Sequence, residues 1–409
     1  MDILLNVVKN KKIKEKITIS GSKSESNRLL ILQNLFPKLS IENLSDSDDS
    51  VHMQHALSTN DEVVNIGHAG TAMRFLTSYF AVKEGREVVL TGSDRMQNRP
   101  IEILVDALKD LGTDITYEDK VGYPPIRIKG TKIIKNKVQI NGNVSSQYIS
   151  SLLLIASKLE NGLEIELIGK ITSVPYINMT LSLLTQLGIA SSFEKNIIKV
   201  LPKKSIESKI VVVESDWSSA SYFYSIATLA SIGSEITLSA YKEESLQGDS
   251  CLAEIYQHFG VETTFGENTI ILKKVKETKK ETLEIDLKNA PDIAQTIAVT
   301  CFAEGVACNL TGLHTLKIKE TDRLVALHDE LSKLGANISV TDVSLHLKVT
   351  SIINKNIAIK TYNDHRMAMA FAPLAFIVPI NILNAEVVTK SYQKFWEDMQ
   401  QIGIKIDEL

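Results

Sequence analysis

Cationic side chains recur along this chain in short polar segments that each lead into an apolar run. Lys23 and Arg28 lie in the string GSKSESNR at 21–28, and Arg74 closes NIGHAGTAMR at 65–74. Arg95 and Arg99 precede the proline that ends DRMQNRP at 94–100, while Lys319 and Arg323 bracket KETDR. His365 and Arg366 open NDHRMAMA at 363–370, one of the most apolar stretches of the chain. A guanidinium presents paired N–H groups that match a carboxylate or a phosphate, and lysine adds a point charge. Gly67 and Gly70 would let a ligand approach the backbone, with Thr71 as a helix cap. Any one of these cations also reads as an ordinary solvated surface group. Asp292, in a first helical turn, is by default a carboxylate that compensates the helix dipole, but among anion-binding cations it becomes a candidate base. Two patterns are set aside. Lys16 stands where a nucleotide P-loop needs its first glycine, and His52 and His55 beside Asp46, Asp48 and Asp49 read as an acidic helix start rather than a metal site.

The elements that must position these groups repeat. Amphipathic helical segments end at Gly112, Gly188, Gly260, Gly335 and Gly403 at near-regular spacing, each followed by a strand-like run, with a weaker copy at 55–60. A second series interleaves with the first. Six short polar loops open apolar helices, at 21–24, 70–71, 145–147, 216–219, 289–292 and 363–366. Six similar α/β units follow, and if they stack alike their helix N-termini, with unpaired N–H groups, suit anions. Residues 367–383 are nearly all apolar but hold Pro373, Pro379 and Asn381, which predicts a buried helix followed by a strand rather than a membrane span.

Bulk properties narrow the class. A chain of 409 residues exceeds what one core usually organises, and 44% hydrophobic with 23% charged residues is a globular profile. A net charge of -4 argues against a nucleic-acid surface, so the cation clusters serve small ligands. Cys251, Cys301 and Cys308 show no paired spacing and read as core thiols of a reducing, cytoplasmic protein. The apolar stretch 3–8 is too short for a secretion signal.

Taken in order and spacing, the strings GSKSxSNR, GHAGTAMR, RMxxRP, VSSQ, SxPY, KETDR and NDHRMAMA resemble those of the 5-enolpyruvylshikimate-3-phosphate (EPSP) synthase family of enolpyruvyl transferases, over residues from about 17 to beyond 390. The resemblance implies a two-domain inverted α/β barrel of six βαβαββ repeats, three per domain, with the active site in the interdomain cleft. It places one domain at 20–214, mainly for shikimate 3-phosphate, and the second at 1–19 with 215–409. The implied reaction moves the enolpyruvyl group of phosphoenolpyruvate to the 5-hydroxyl of shikimate 3-phosphate, releasing phosphate on the route to chorismate and the aromatic amino acids. It needs neither a metal nor an organic cofactor, and implies a monomer in the cytoplasm with no nucleic-acid or membrane partner.

Residue by residue, the resemblance implies that Lys23, Ser24, Arg28, Ser145, Ser146, Gln147, Ser173, Tyr176, Asp292 and Lys319 hold shikimate 3-phosphate. Lys23, Gly70, Arg99, Gln147, Arg323, Arg366 and Lys390 would hold phosphoenolpyruvate. The implied catalytic group is Asp292 as base, Glu320 with Lys23 near the enolpyruvyl carbons, and His365 as a supporting donor. This chain departs from the family's familiar pattern at His68, where many relatives have Asn, at Phe75, where Pro is common, and at Thr315, sometimes a substrate-contacting Asn. Two other readings stay open: enolpyruvyl transfer to UDP-N-acetylglucosamine, for which no cysteine lies in a mobile Gly/Arg loop here, and a noncatalytic phosphometabolite sensor, which would lack Asp292 and Glu320.

Overall fold

The two interleaved series of the sequence become two classes of helix. The computed structural model describes residues 1–8, 11–143, 145–171 and 174–409. It divides into one unit of Gly21–Val213 and another of Met1–Ser20 with Glu214–Leu409.

The unit Gly21–Val213 holds helices α1 (Lys23–Leu35), α2 (Asp48–Ser58), α3 (Gly70–Ala81), α4 (Asp94–Gln97), α5 (Glu102–Leu111), α6 (Ser146–Ala156) and α7 (Val174–Gln186). One sheet runs in the order Val63–Asn65, Glu87–Thr91, Ile126–Lys129, Asp114–Tyr117; its first two strands are parallel and the others antiparallel. Parallel neighbours need a crossover, which α3 supplies, and α5 then leads into the closing hairpin. Lys137–Asn141, Leu163–Ile168, Ile197–Val200 and Ser191–Glu194 repeat this order around α6 and α7. The third sheet differs from the expected repeat. Among the described residues it is only the parallel pair Leu39–Glu42 and Lys209–Val212, and no hairpin follows α2 before Val63–Asn65 opens the sheet with Glu87–Thr91.

The second unit holds α8 (Trp217–Leu229), α9 (Leu252–Ile255), α10 (Ala294–Glu304), α11 (Arg323–Lys333), α12 (His365–Phe371) and α13 (Phe395–Gln401). Among the described residues its three sheets are four-stranded, and residues from the start of the chain complete two of them. Lys14–Ile17 lies parallel to Glu235–Ser239, and Ile3–Leu5 sits between Ile380–Ile382 and Ile406–Glu408, antiparallel to both. Leu283–Asp286, Cys308–Thr311, Leu345–Lys348 and Asn337–Val340 form the third.

In each unit the helices opened by the polar loops are the inner ones. Every residue of α8 is buried, as are nearly all of α3, α6 and α10, whereas α5 and α11 bury one face only. A helix apolar or small on all sides must be surrounded, while a striped one belongs outside. Small hydroxyls join the inner helices. Ser78 of α3 meets Ser151 of α6 at 2.5 Å, and Ser221 and Ser225 of α8 meet Thr296 and Thr300 of α10 at 3.0 and 2.8 Å. Buried hydroxyls thereby find partners inside the core.

Five predicted helix starts coincide with α1, α3, α6, α8 and α12; the sixth is a 3-10 turn, Pro291–Ile293, that runs into α10. Ser145, Asp216 and Asp364 cap their helices with side-chain oxygens. Thr71 does not cap: α3 begins at Gly70 with Ala69 before it, so Thr71 lies inside the first turn. The apolar segment after His365 is helical only to Phe371, continues as a 3-10 turn at Ala372–Phe376 around Pro373, and reaches the strand Ile380–Ile382. Among the described residues, no helix is long and apolar enough to cross a membrane.

Candidate active site

In the unit Gly21–Val213, the anion-binding candidates gather at the starts of α1, α3 and α6, three helices that pack together. Lys23 begins α1, and its Nζ lies 3.9 Å from Oδ1 of Asp49 at the start of α2. Gly70 begins α3; a Cβ there would overlap the guanidinium of Arg99, so the glycine is what lets that exposed arginine lie against the helix start. Gln147, in the first turn of α6, donates from Nε2 to Thr71 Oγ1 at 3.3 Å and ties α6 to α3. Ser145 and Ser146 sit at the same end of α6. Ser173 lies outside the described residues.

Two arginines here are braces. Arg28 is buried and donates to Thr180 Oγ1, Ser24 O, Ser150 Oγ and Tyr176 O at 2.8, 2.7, 3.0 and 3.4 Å, which fastens α1 to α6 and α7. The Phe75 ring lies under the Arg28 guanidinium, 5.3 Å from centroid to Cζ. Arg74 donates to Gly70 O and Pro100 O at 3.1 and 3.0 Å, framing the loop that carries Arg99. Burial pushes both guanidiniums down to about 10, Arg74 also through the charge of Arg99. His68 approaches Asp48 Oδ2 at 3.8 Å.

In the other unit, the chemistry converges on Arg323, the first residue of α11, which is 1% exposed. Its Nε and Nη2 grip Asp364 at 2.6 and 3.3 Å, Nη1 donates to Asp292 at 2.8 Å, and Nη2 donates to Glu320 at 2.7 Å. Asp292 is further approached by Lys319 Nζ at 3.3 Å and by Arg366 Nη2 at 3.5 Å. Burial alone would raise the Asp292 carboxyl, but Lys319, Arg366 and Arg323 outweigh it and hold the group well below the ordinary carboxylate range. It is therefore ionised. Arg366 is anchored by donating to the Asp292 carbonyl at 3.2 Å and to Ser218 Oγ at 3.1 Å, with Ser218 donating on to Asp216 at 2.7 Å. Buried His365 stands 4.0 Å from Asp364, and Lys390 donates to Asn363 at 2.8 and 2.6 Å. The buried Thr315 hydroxyl has no hydrogen-bond partner among the described residues.

Asp292, Lys319, Glu320, Arg323 and Arg366 are thus brought into direct contact, while Lys390 binds the turn before His365. Sequence reasoning missed Asp364, the carboxylate that orients Arg323, although its N-cap position in the NDHR string was a signal. It also missed Ser218 and Asp216, read only as a helix start, and Thr71 as the partner of Gln147. The cluster sets the Asp292 carboxylate against three cations, Lys319, Arg323 and Arg366, with Glu320 and Asp364 on the same Arg323.

The sequence profile of EPSP synthase (3-phosphoshikimate 1-carboxyvinyltransferase) matches residues 56–399. The 3-phosphoshikimate 1-carboxyvinyltransferase of Bacteroides fragilis (strain YCH46) is 44% identical, covering 97% of this chain and 97% of that protein. Its counterpart from Mannheimia haemolytica is 33% identical, with coverage of 96% and 98%. A solved structure of EPSP synthase from Acinetobacter baumannii superposes with a TM-score of 0.83 at 21% identity over 100% of both chains, a likeness of fold. With its fold, its cationic helix starts and near relatives over almost its full length, the chain belongs to the EPSP synthase family.

Proposed function

We propose that this enzyme transfers the enolpyruvyl group of phosphoenolpyruvate to the 5-hydroxyl of shikimate 3-phosphate, giving 5-enolpyruvylshikimate 3-phosphate and phosphate. The observation that carries the reading is the ionised Asp292 carboxylate in contact with Lys319, Arg323 and Arg366. Both substrates are compact polyanions. Arg99, Arg323, Arg366 and Lys390 take the donor, with Gly70 giving backbone access; Ser24, Arg28, Ser145, Ser146, Ser173, Tyr176 and Lys319 take the acceptor. Lys23 and Gln147 contact both ligands.

Asp292 removes the proton of the attacking hydroxyl as its oxygen bonds to C2 of phosphoenolpyruvate, and the methylene carbon gains a proton. The resulting ketal loses a methyl proton and expels phosphate, which restores the double bond. Glu320 and Lys23 serve the proton transfers at that carbon, with His365 in support. A carboxylate held far below its usual pKa is a weak base, and the cations that hold it there are the ones assigned to the substrates. Anionic substrates on Lys319, Arg323 and Arg366 take over that compensation and raise the proton affinity of Asp292, so its basicity appears when the site is filled. Positioning of two like-charged ligands and electrostatic support of the ketal supply the remaining rate. The same reading makes the protein a cytoplasmic monomer.

Phosphate release is measured with phosphoenolpyruvate plus either shikimate 3-phosphate or UDP-N-acetylglucosamine. Release with the first acceptor alone is expected. Release with the second alone, or with neither, overturns the proposal.

A further inference from the structure

The turn that delivers His365 and Arg366 is strained. Tyr362 and Asn363 both have left-handed backbones, with φ of 53° and 58°. Side chains other than glycine rarely adopt this conformation, and such residues persist only where the surroundings hold them. Lys390 holds the Asn363 end through its two bonds to that residue. The Tyr362 end is held by Glu330.

Glu330 lies on α11 and is 0% exposed. It accepts from the Tyr362 hydroxyl at 2.6 Å and from the backbone N–H of Lys360 at 3.1 Å, while Lys333 Nζ balances its charge at 2.6 and 2.7 Å. A carboxylate taken out of water is costly unless its lone pairs are satisfied in this way. Glu330 follows Arg323 on the same helix by about two turns. One rigid element therefore grips the segment 360–364 twice: Arg323 binds Asp364, and Glu330 binds Lys360 and Tyr362. The strained pair runs from the Glu330 grip at Tyr362 to Asn363, next to the Arg323 grip at Asp364, and Arg366 follows two residues later.

We propose that Glu330 is a positioning residue for the reaction. It touches no reacting atom; it fixes the Tyr362–Asn363 turn in its left-handed form, which sets Asp364 against Arg323 and aims Arg366 at Asp292. This rests on the assignment of Arg323 and Arg366 to phosphoenolpyruvate. Without the Glu330 grip the turn relaxes toward ordinary backbone, and the donor-binding arginines lose their register while the helix starts at 23–28 and 145–147 are untouched.

The test uses the full chain with Glu330→Gln, which keeps the shape and removes the charge, and Tyr362→Phe, which deletes one hydroxyl. Steady-state kinetics with both substrates are read beside thermal unfolding. Loss of a charge-assisted hydrogen bond predicts a KM for phosphoenolpyruvate raised about tenfold in Glu330→Gln and about threefold in Tyr362→Phe, with the KM for shikimate 3-phosphate within about twofold of the parent. If Glu330→Gln does not fold, Tyr362→Phe decides alone. Unchanged kinetics in the folded variants overturn the inference, as does an equal rise in both KM values that tracks a lower melting temperature. An inactive parent would instead overturn the reading of function, so the two failures are distinguishable.

Discussion

Arg28 and Arg323 are both buried arginines on helices, yet they meet opposite company. Arg323 is surrounded by the carboxylates of Asp364, Asp292 and Glu320, which outweigh burial and raise its pKa. Arg28 rests on hydroxyls and carbonyls, with no carboxylate within ion-pair distance among the described residues, and burial pushes it down to about 10. Arg74 follows Arg28 in this respect. In the unit Gly21–Val213 the Arg28 and Arg74 guanidiniums are thus held by neutral oxygens rather than by carboxylates. The other unit holds its cations already paired, and the carboxylate that pairs them is the proposed base. Under the proposed reaction, the first arrangement would favour capture of an anion and the second would couple ligand binding to basicity, since a substrate would take over the cations of Asp292.

Three experiments would break or sharpen this contrast. Asp292→Asn keeps the size of the side chain and removes the base, so kcat should fall about a thousandfold while shikimate 3-phosphate still binds, as calorimetry would register. Unchanged turnover would remove Asp292 from its role. The next effect concerns stability. Arg323→Met strands Asp364, which has 0% exposure, and should cost about 3–5 kcal/mol in denaturant unfolding. Arg28→Met strands no carboxylate and should cost only about 1–2 kcal/mol. Equal costs would erase the distinction between the units.

The smallest effect is in pH dependence. The folded state holds the Asp292 carboxyl below its unfolded value, so its stabilisation is present above about pH 4 and is lost as pH falls toward the depressed folded value. Denaturation midpoints between about pH 5 and pH 3 should therefore decline more steeply in the parent than in Asp292→Asn. Parallel declines would mean that Asp292 is not held ionised by its neighbours.

Much of this molecule was written locally. The glycines at 112, 188, 260, 335 and 403 all adopt the left-handed backbone that ends a helix, and that requirement is visible from one residue and its neighbours. The cationic strings likewise announced the ligand class, since guanidinium and ammonium groups beside helix starts suit anions wherever the chain goes. Other features needed contacts between residues far apart in sequence. That Lys14–Ile17 pairs with Glu235–Ser239, and Leu39–Glu42 with Lys209–Val212, depends on which distant strands folding brings side by side.

The same division runs through the site. KETDR and NDHR named Arg323 and Asp364 as charged residues at helix starts, but not as partners across 41 positions. Nor did Arg28 reveal in sequence that it would brace three helices, or Glu330 that its place on an amphipathic helix faces a strained turn. A sequence states which charges the chain carries and where helices begin. Whether a given charge ends up paired, bare or spent on holding a turn is set by burial and by which carboxylates folding brings within about 3 Å, and only the tertiary structure decides that.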